Sequence, residues 1–108
     1  MLLLVEAEQM ESLDAQDMPE THYEIIYFSG RVQGVGFRYS ALQVSKEFEV
    51  TGFVKNEVDG RVLLEVEGKK SQVNAFIAAI EERMHGYIRQ VERNARRRDA
   101  GFQGFSIR

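Results

Sequence analysis

From Tyr23 to Ser29 (YEIIYFS), β-branched and aromatic residues predominate and Gly30 bounds the run, a pattern that predicts a β-strand. A glycine-rich loop, GRVQGVG, follows. From Phe37 the apolar positions Phe37, Ala41, Val44 and Phe48 recur at helical spacing and predict a helix of about three turns with one buried stripe. Val50 to Lys55 (VTGFVK) and Arg61 to Glu67 (RVLLEVE) read as two strands. The second places Val62, Leu64 and Val66 on one face and Arg61, Glu65 and Glu67 on the other. Asp59-Gly60 between them is a strong turn signal, so the pair is expected to form an antiparallel hairpin.

Ser71 is placed to cap a second helix whose stripe is Val73, Phe76, Ile77, Ile80 and Met84, with Gly86 to end it. Tyr87 to Arg96 reads as a fourth strand. Ile88 and Val91 break a strict period of two there, and a bulge would reconcile them. Arg97 to Gly104 reads as a loop, and Phe105 to Arg108 (FSIR) as a short closing strand. The order β-α-β-β-α-β with a terminal strand predicts an α+β domain of the ferredoxin-like, split β-α-β kind, in which two helices pack on one face of an antiparallel sheet. That fold hosts many chemistries, so function has to be argued from the site.

With 108 residues, 44% of them hydrophobic, and a single Pro, the chain suits one globular domain. There is no Cys, which removes disulfides and thiolate chemistry and fits a cytoplasmic setting. The opening MLLLV run is too short for a membrane span or a signal-peptide core, so no membrane partner is expected. Charge divides the chain. Glu6, Glu8, Glu11, Asp14, Asp17 and Glu20 fall in the first twenty residues, whereas all 14 Lys and Arg lie beyond them. Residues 1–20 therefore read as an acidic extension, disordered or a short helix, and 21–108 as the domain. The net charge of -3 becomes mildly positive once the extension is set aside. Such a body suits a small anionic ligand and falls short of the basic bias of a nucleic-acid binder.

The most informative stretch is GRVQGVGFR, Gly30 to Arg38, between a predicted strand and a predicted helix. Gly34 and Gly36 allow backbone conformations closed to other residues, so that consecutive N–H groups can turn towards one point. The helix start adds free N–H groups and the positive end of its dipole, and Arg38 adds a planar guanidinium fork suited to phosphate oxygens. Taken alone, the spacing fits a tight strand-to-helix turn as well as an anion cradle. It is neither the G-x-G-x-x-G dinucleotide fingerprint nor a P-loop, because no Gly-Lys-Ser/Thr follows.

The whole string resembles the phosphate-loop signature of the acylphosphatase family. TGFVKN, Thr51 to Asn56, resembles the family's second signature, DGRV at Asp59 to Val62 continues it, and GFSIR resembles the usual ending. The resemblance spans Tyr23 to Arg108, with Phe53 where Trp is frequent and Lys55 where Arg is frequent. It implies hydrolysis of a small acyl phosphate by a monomeric enzyme that needs neither metal nor cofactor. Arg38 and backbone N–H groups of Gln33, Gly34, Val35, Gly36 and Phe37 would hold the phosphoryl group, and Asn56 would orient the attacking water. By itself, an Asn before Asp-Gly is an ordinary turn residue.

Other features point less sharply. Arg31 is read as solvated or structural, and His22 and His85 as surface residues without metal spacing. Arg89, Arg93, Arg96, Arg97 and Arg98 need be no more than a solvated strand face and loop. An RNA-recognition module shares the element order but requires aromatics on a central strand, and RVLLEVE has none. An accessory module like that of the hydrogenase-maturation carbamoyltransferases comes with zinc-finger cysteines, which this sequence lacks.

Overall fold

The structure, a computed structural model, describes residues 20–108. Apart from Glu20, the predicted acidic extension lies outside the described residues. The elements follow the expected order: β1 (Glu20–Gly30), α1 (Phe37–Ser45), β2 (Val50–Asn56), β3 (Val62–Gly68), α2 (Lys70–Arg83), β4 (Ile88–Asp99) and β5 (Phe105–Ile107). They build one sheet in the order β4-β1-β3-β2-β5. The helices pack on one face, where Ile26, Phe28, Val54, Val62, Leu64 and Val66 of the sheet meet Phe37, Ala41 and Val44 of α1 and Val73, Phe76, Ile77 and Ile80 of α2. This is the ferredoxin-like arrangement. No helix among the described residues is long and apolar enough to cross a membrane.

Four strands pair antiparallel, but β5 runs parallel to β2, so the complete sheet is mixed. The cause is topological. Asp99 at the end of β4 pairs with Glu20, and Gly68 pairs with both His22 and Val50, so β4 delivers the chain to the end of the sheet where β2 begins. A strand starting there on the far edge can only run alongside β2. The connecting residues cross the helix-free face, and there the Glu67 carboxylate accepts hydrogen bonds from the backbone N–H groups of Gly101 at 2.8 Å and Phe102 at 2.6 Å. Glu67, on the face opposite Val62, Leu64 and Val66, is consequently buried, as is Leu63.

The element ends also depart from expectation. α1 stops at Ser45, where the Lys46 N–H is shared between the carbonyls of Gln43 and Val44 and tightens the last turn. Phe48 lies beyond it, half-buried against the Phe76 ring. α2 starts two residues early, with Lys69 as its N-cap and Ser71 inside the first turn, and it ends at Arg83 with Met84 as its C-cap, before Gly86 is reached. β4 continues to Asp99, through residues expected to be loop. The anticipated bulge is present: Ser29 pairs with Gln90 and Gly30 with Ile88, leaving Arg89 as the extra residue, and Ile88 and Val91 both reach the core.

Arg93 and Arg98, read from the sequence as part of a solvated face and loop, are structural. Arg93 donates to both carboxylate oxygens of Glu24 at 2.7 and 2.6 Å and to Asn74 of α2 at 2.7 Å. Arg98 faces Glu67 at 3.3 Å and stacks 3.7 Å from the Tyr23 ring centroid. His22, expected at the surface, lies within β1 and holds Glu24 at 2.8 Å. His85 is exposed beyond the end of α2, as expected.

Candidate active site

Two buried apolar anchors set the shape of the loop between β1 and α1. Val32 is 1% exposed, and Phe37, the first residue of α1, packs on Phe28 with ring centroids 4.9 Å apart. Burying a Phe side chain contributes about 1.5–3 kcal/mol, so the helix start is held firmly beneath the sheet end. The four residues between the anchors must reverse the chain in a short span. Gly34 and Gly36 do so at φ 76° and 77°, in the left-handed region that favours glycine. Val35 tucks partly against the core while Gln33, Gly34 and Gly36 stay exposed.

Gly36 is the N-cap of α1, and with no side chain it leaves the first turn uncapped. No acidic residue sits in that turn. The leading amides and the positive end of the dipole are thus uncompensated by their own helix, the condition under which a helix start takes an anion. Arg38, in the same turn, is half-buried and its Nη1 donates to the Arg108 carbonyl oxygen at 3.3 Å. Arg108 follows β5, so the strand on the sheet edge helps hold the guanidinium in place.

Asn56 ends β2, and its partner in register is Val62 at the start of β3. The connecting turn is braced. Glu57 N–H donates to Arg61 O at 2.8 Å, Gly60 N–H to Glu57 O at 3.1 Å, and the Arg61 N–H and guanidinium both bond the Asp59 carboxylate. Those bonds, led by the one from the Arg61 backbone N–H, hold the Asp59 carboxyl below its ordinary pKa.

Arg38 and Asn56, 18 positions apart in the chain, line one cavity of about 210 Å³. Gly34, Gly36 and Phe37 line it with them. Gln33 and Val35, the other expected phosphate-binding positions, do not. The Gln33 side chain turns instead to the hairpin, where Nε2 donates to Glu57 O at 2.7 Å and Arg61 O at 3.0 Å. Three lining residues escaped the sequence reading of the site: Val32, Tyr39 and Ile107. Tyr39 is 62% exposed, a rim position, and Ile107 comes from β5. Arg38 is the one charged side chain among the lining residues. A larger hollow of about 490 Å³, lined by Lys69, Lys70 and Arg97 among others, lies at the opposite end of the sheet and contains neither Arg38 nor Asn56.

An uncapped helix start, left-handed glycines, one arginine and one amide side chain around a small cavity give this ferredoxin-like domain a site suited to an anion. A family model described as acylphosphatase matches residues 24–107. The acylphosphatase of Methanospirillum hungatei is 40% identical over 79 residues, which span 73% of this chain and 85% of that protein. The acylphosphatase of Oceanobacillus iheyensis is 47% identical over 53 residues, 49% of this chain and 58% of that relative's length. The solved structure of the acylphosphatase from Bacillus subtilis matches with a TM-score of 0.70 at 33% identity and covers 81% of this chain and 97% of its own. The chain belongs to the acylphosphatase family.

Proposed function

We propose that the chain hydrolyses acyl phosphates to a carboxylate and inorganic phosphate. The backbone N–H groups of Gln33 to Phe37 and the Arg38 guanidinium hold the phosphoryl oxygens, and Asn56 orients the water that attacks phosphorus. The bond from phosphorus to the bridging oxygen breaks and the carboxylate departs. Its conjugate acid has a pKa of about 4 to 4.5, so it leaves without a proton donor. The demands on the protein are alignment and stabilisation of charge on the phosphoryl oxygens, which a guanidinium and oriented amides supply. The water's proton passes to a phosphoryl oxygen.

The single observation that carries this reading is that Arg38 and Asn56 line the same small cavity, at the open start of α1. Family membership supplies the reaction class. At the mouth, Tyr39 and Ile107 offer the acyl group exposed surface without a charged group, which fits loose selection among acyl groups. The test is release of phosphate from acetyl phosphate by purified protein in excess chelator. The wild type is expected to be active, and Arg38→Ala and Asn56→Ala each to lower kcat by ~10²-fold or more. Full activity in both variants would overturn the assignment of residues.

A further inference from the structure

The loop that holds Gly34 and Gly36 and the hairpin that carries Asn56 belong to separate elements, and Gln33 joins them. Both hydrogens of its side-chain amide are used, one on Glu57 O at 2.7 Å and one on Arg61 O at 3.0 Å. These two carbonyls stand at the two ends of the turn that follows Asn56. Each also accepts a backbone N–H, Glu57 O from Gly60 and Arg61 O from Glu57, so each has two donors directed at it. Because both partners are carbonyls, the NH2 group must be the end of the amide that faces them. A side chain with two hydrogens on one nitrogen fits this place, and a carboxylate of the same shape does not.

The two bonds are exposed, and such bonds contribute only about 0.5–1.5 kcal/mol each to stability. Their consequence is geometric. Val32 and Phe37 fix the ends of the loop in the core with Val35 packed partly against it, and the turn is held through β2, β3 and the Arg61 guanidinium 4.0 Å from the Tyr27 ring centroid; neither set of contacts ties loop to turn. The Gln33 amide joins loop and turn at the two carbonyls that flank the turn, the first of them on the residue next to Asn56. We propose that Gln33 is a positioning residue: it sets the place of Asn56 relative to the phosphate loop and acts on the reaction through Asn56. This rests on the hydrolytic reading of the site given above. Misplacing a reacting group by about 1 Å is enough to cost up to ~10²-fold in rate.

The experiment is a kinetic cycle with acetyl phosphate, using Gln33→Ala and Gln33→Glu, each made in the wild type and in Asn56→Ala, with inorganic phosphate as competitive inhibitor. In the wild-type background both Gln33 variants are expected to lower kcat ~10-fold or more, with KM and the phosphate inhibition constant held within ~3-fold. In the Asn56→Ala background the further loss is expected to be under ~2-fold, since a strut with nothing to position has no effect. Loss of general folding would lower activity equally in both backgrounds, and that outcome overturns the proposal. So does unchanged kcat in both Gln33 variants, or phosphate inhibition weakened in step with kcat, which would make the Gln33 side chain a phosphate ligand. An inactive wild type overturns the hydrolytic reading and this inference with it, and an Asn56→Ala protein as active as the wild type overturns the role of Asn56 and this inference with it. An Asn56-dependent enzyme indifferent to Gln33 overturns this inference alone.

Discussion

Gly36 has two duties that only glycine combines. It takes φ 77° and it caps α1 without offering a side chain to the amides behind it. A Cβ at this position would meet nothing within 4 Å, so Gly36→Ala introduces strain without a clash. The left-handed conformation costs an L residue about 1–2 kcal/mol. The variant should therefore fold and lose about that much stability, read as a lower urea midpoint at unchanged m-value. An unchanged midpoint would mean that the loop does not need the left-handed turn. Arg38, Gly34 and Gly36 were all legible in GRVQGVGFR because their chemistry is written in residue type. The reach of the Gln33 side chain was not, since its acceptors are backbone carbonyls that every residue possesses. Tyr39 and Ile107 were equally hidden: apolar residues declare a core, and only the fold reveals which ones stay at a cavity rim.

Elements with a clean hydrophobic period were predicted closely. β3 and α2 keep their stripes in the buried core. β4 was cut short because an exposed edge strand has no apolar alternation to read, and its arginines carry a strand by pairing with β1 partners instead. One of those pairings makes the elements answer to pH. Burial pushes the Glu24 carboxyl up, but hydrogen bonds from Arg93 and His22 outweigh it and hold the group below its ordinary value. Folding thus favours the carboxylate. Its contribution is complete above the unfolded pKa of about 4.3 and is lost as pH falls through the lower folded value. Glu24→Gln is expected to cost about 1–3 kcal/mol at pH 7, because Arg93 loses the charge that ties β4 to β1. The gap from the wild type should close below about pH 4 in urea titrations. A gap that stays constant down to pH 3 would show that Glu24 does not carry the acid sensitivity.

At the scale of the whole molecule, the sheet order brings three distant stretches to one end: the loop before α1, the end of β2, and β5. Asn56 and Arg38 become neighbours of a single cavity only through that order, which is why neither was persuasive singly in the sequence. Family resemblance supplied the pairing before the fold did. The parallel addition of β5 was not readable, because three residues carry no directional signal and their direction follows from where β4 leaves the chain. In the proposed reaction the two residues have different tasks, phosphate for Arg38 and water for Asn56. The measurement that separates them is inhibition of acetyl phosphate hydrolysis by inorganic phosphate, compared between the wild type and single variants. Arg38→Ala should weaken phosphate ~10-fold or more along with the loss of turnover, whereas Asn56→Ala should lose ~10²-fold in kcat with phosphate affinity within ~2-fold of the wild type. Equal weakening of phosphate in both variants would contradict the division of labour.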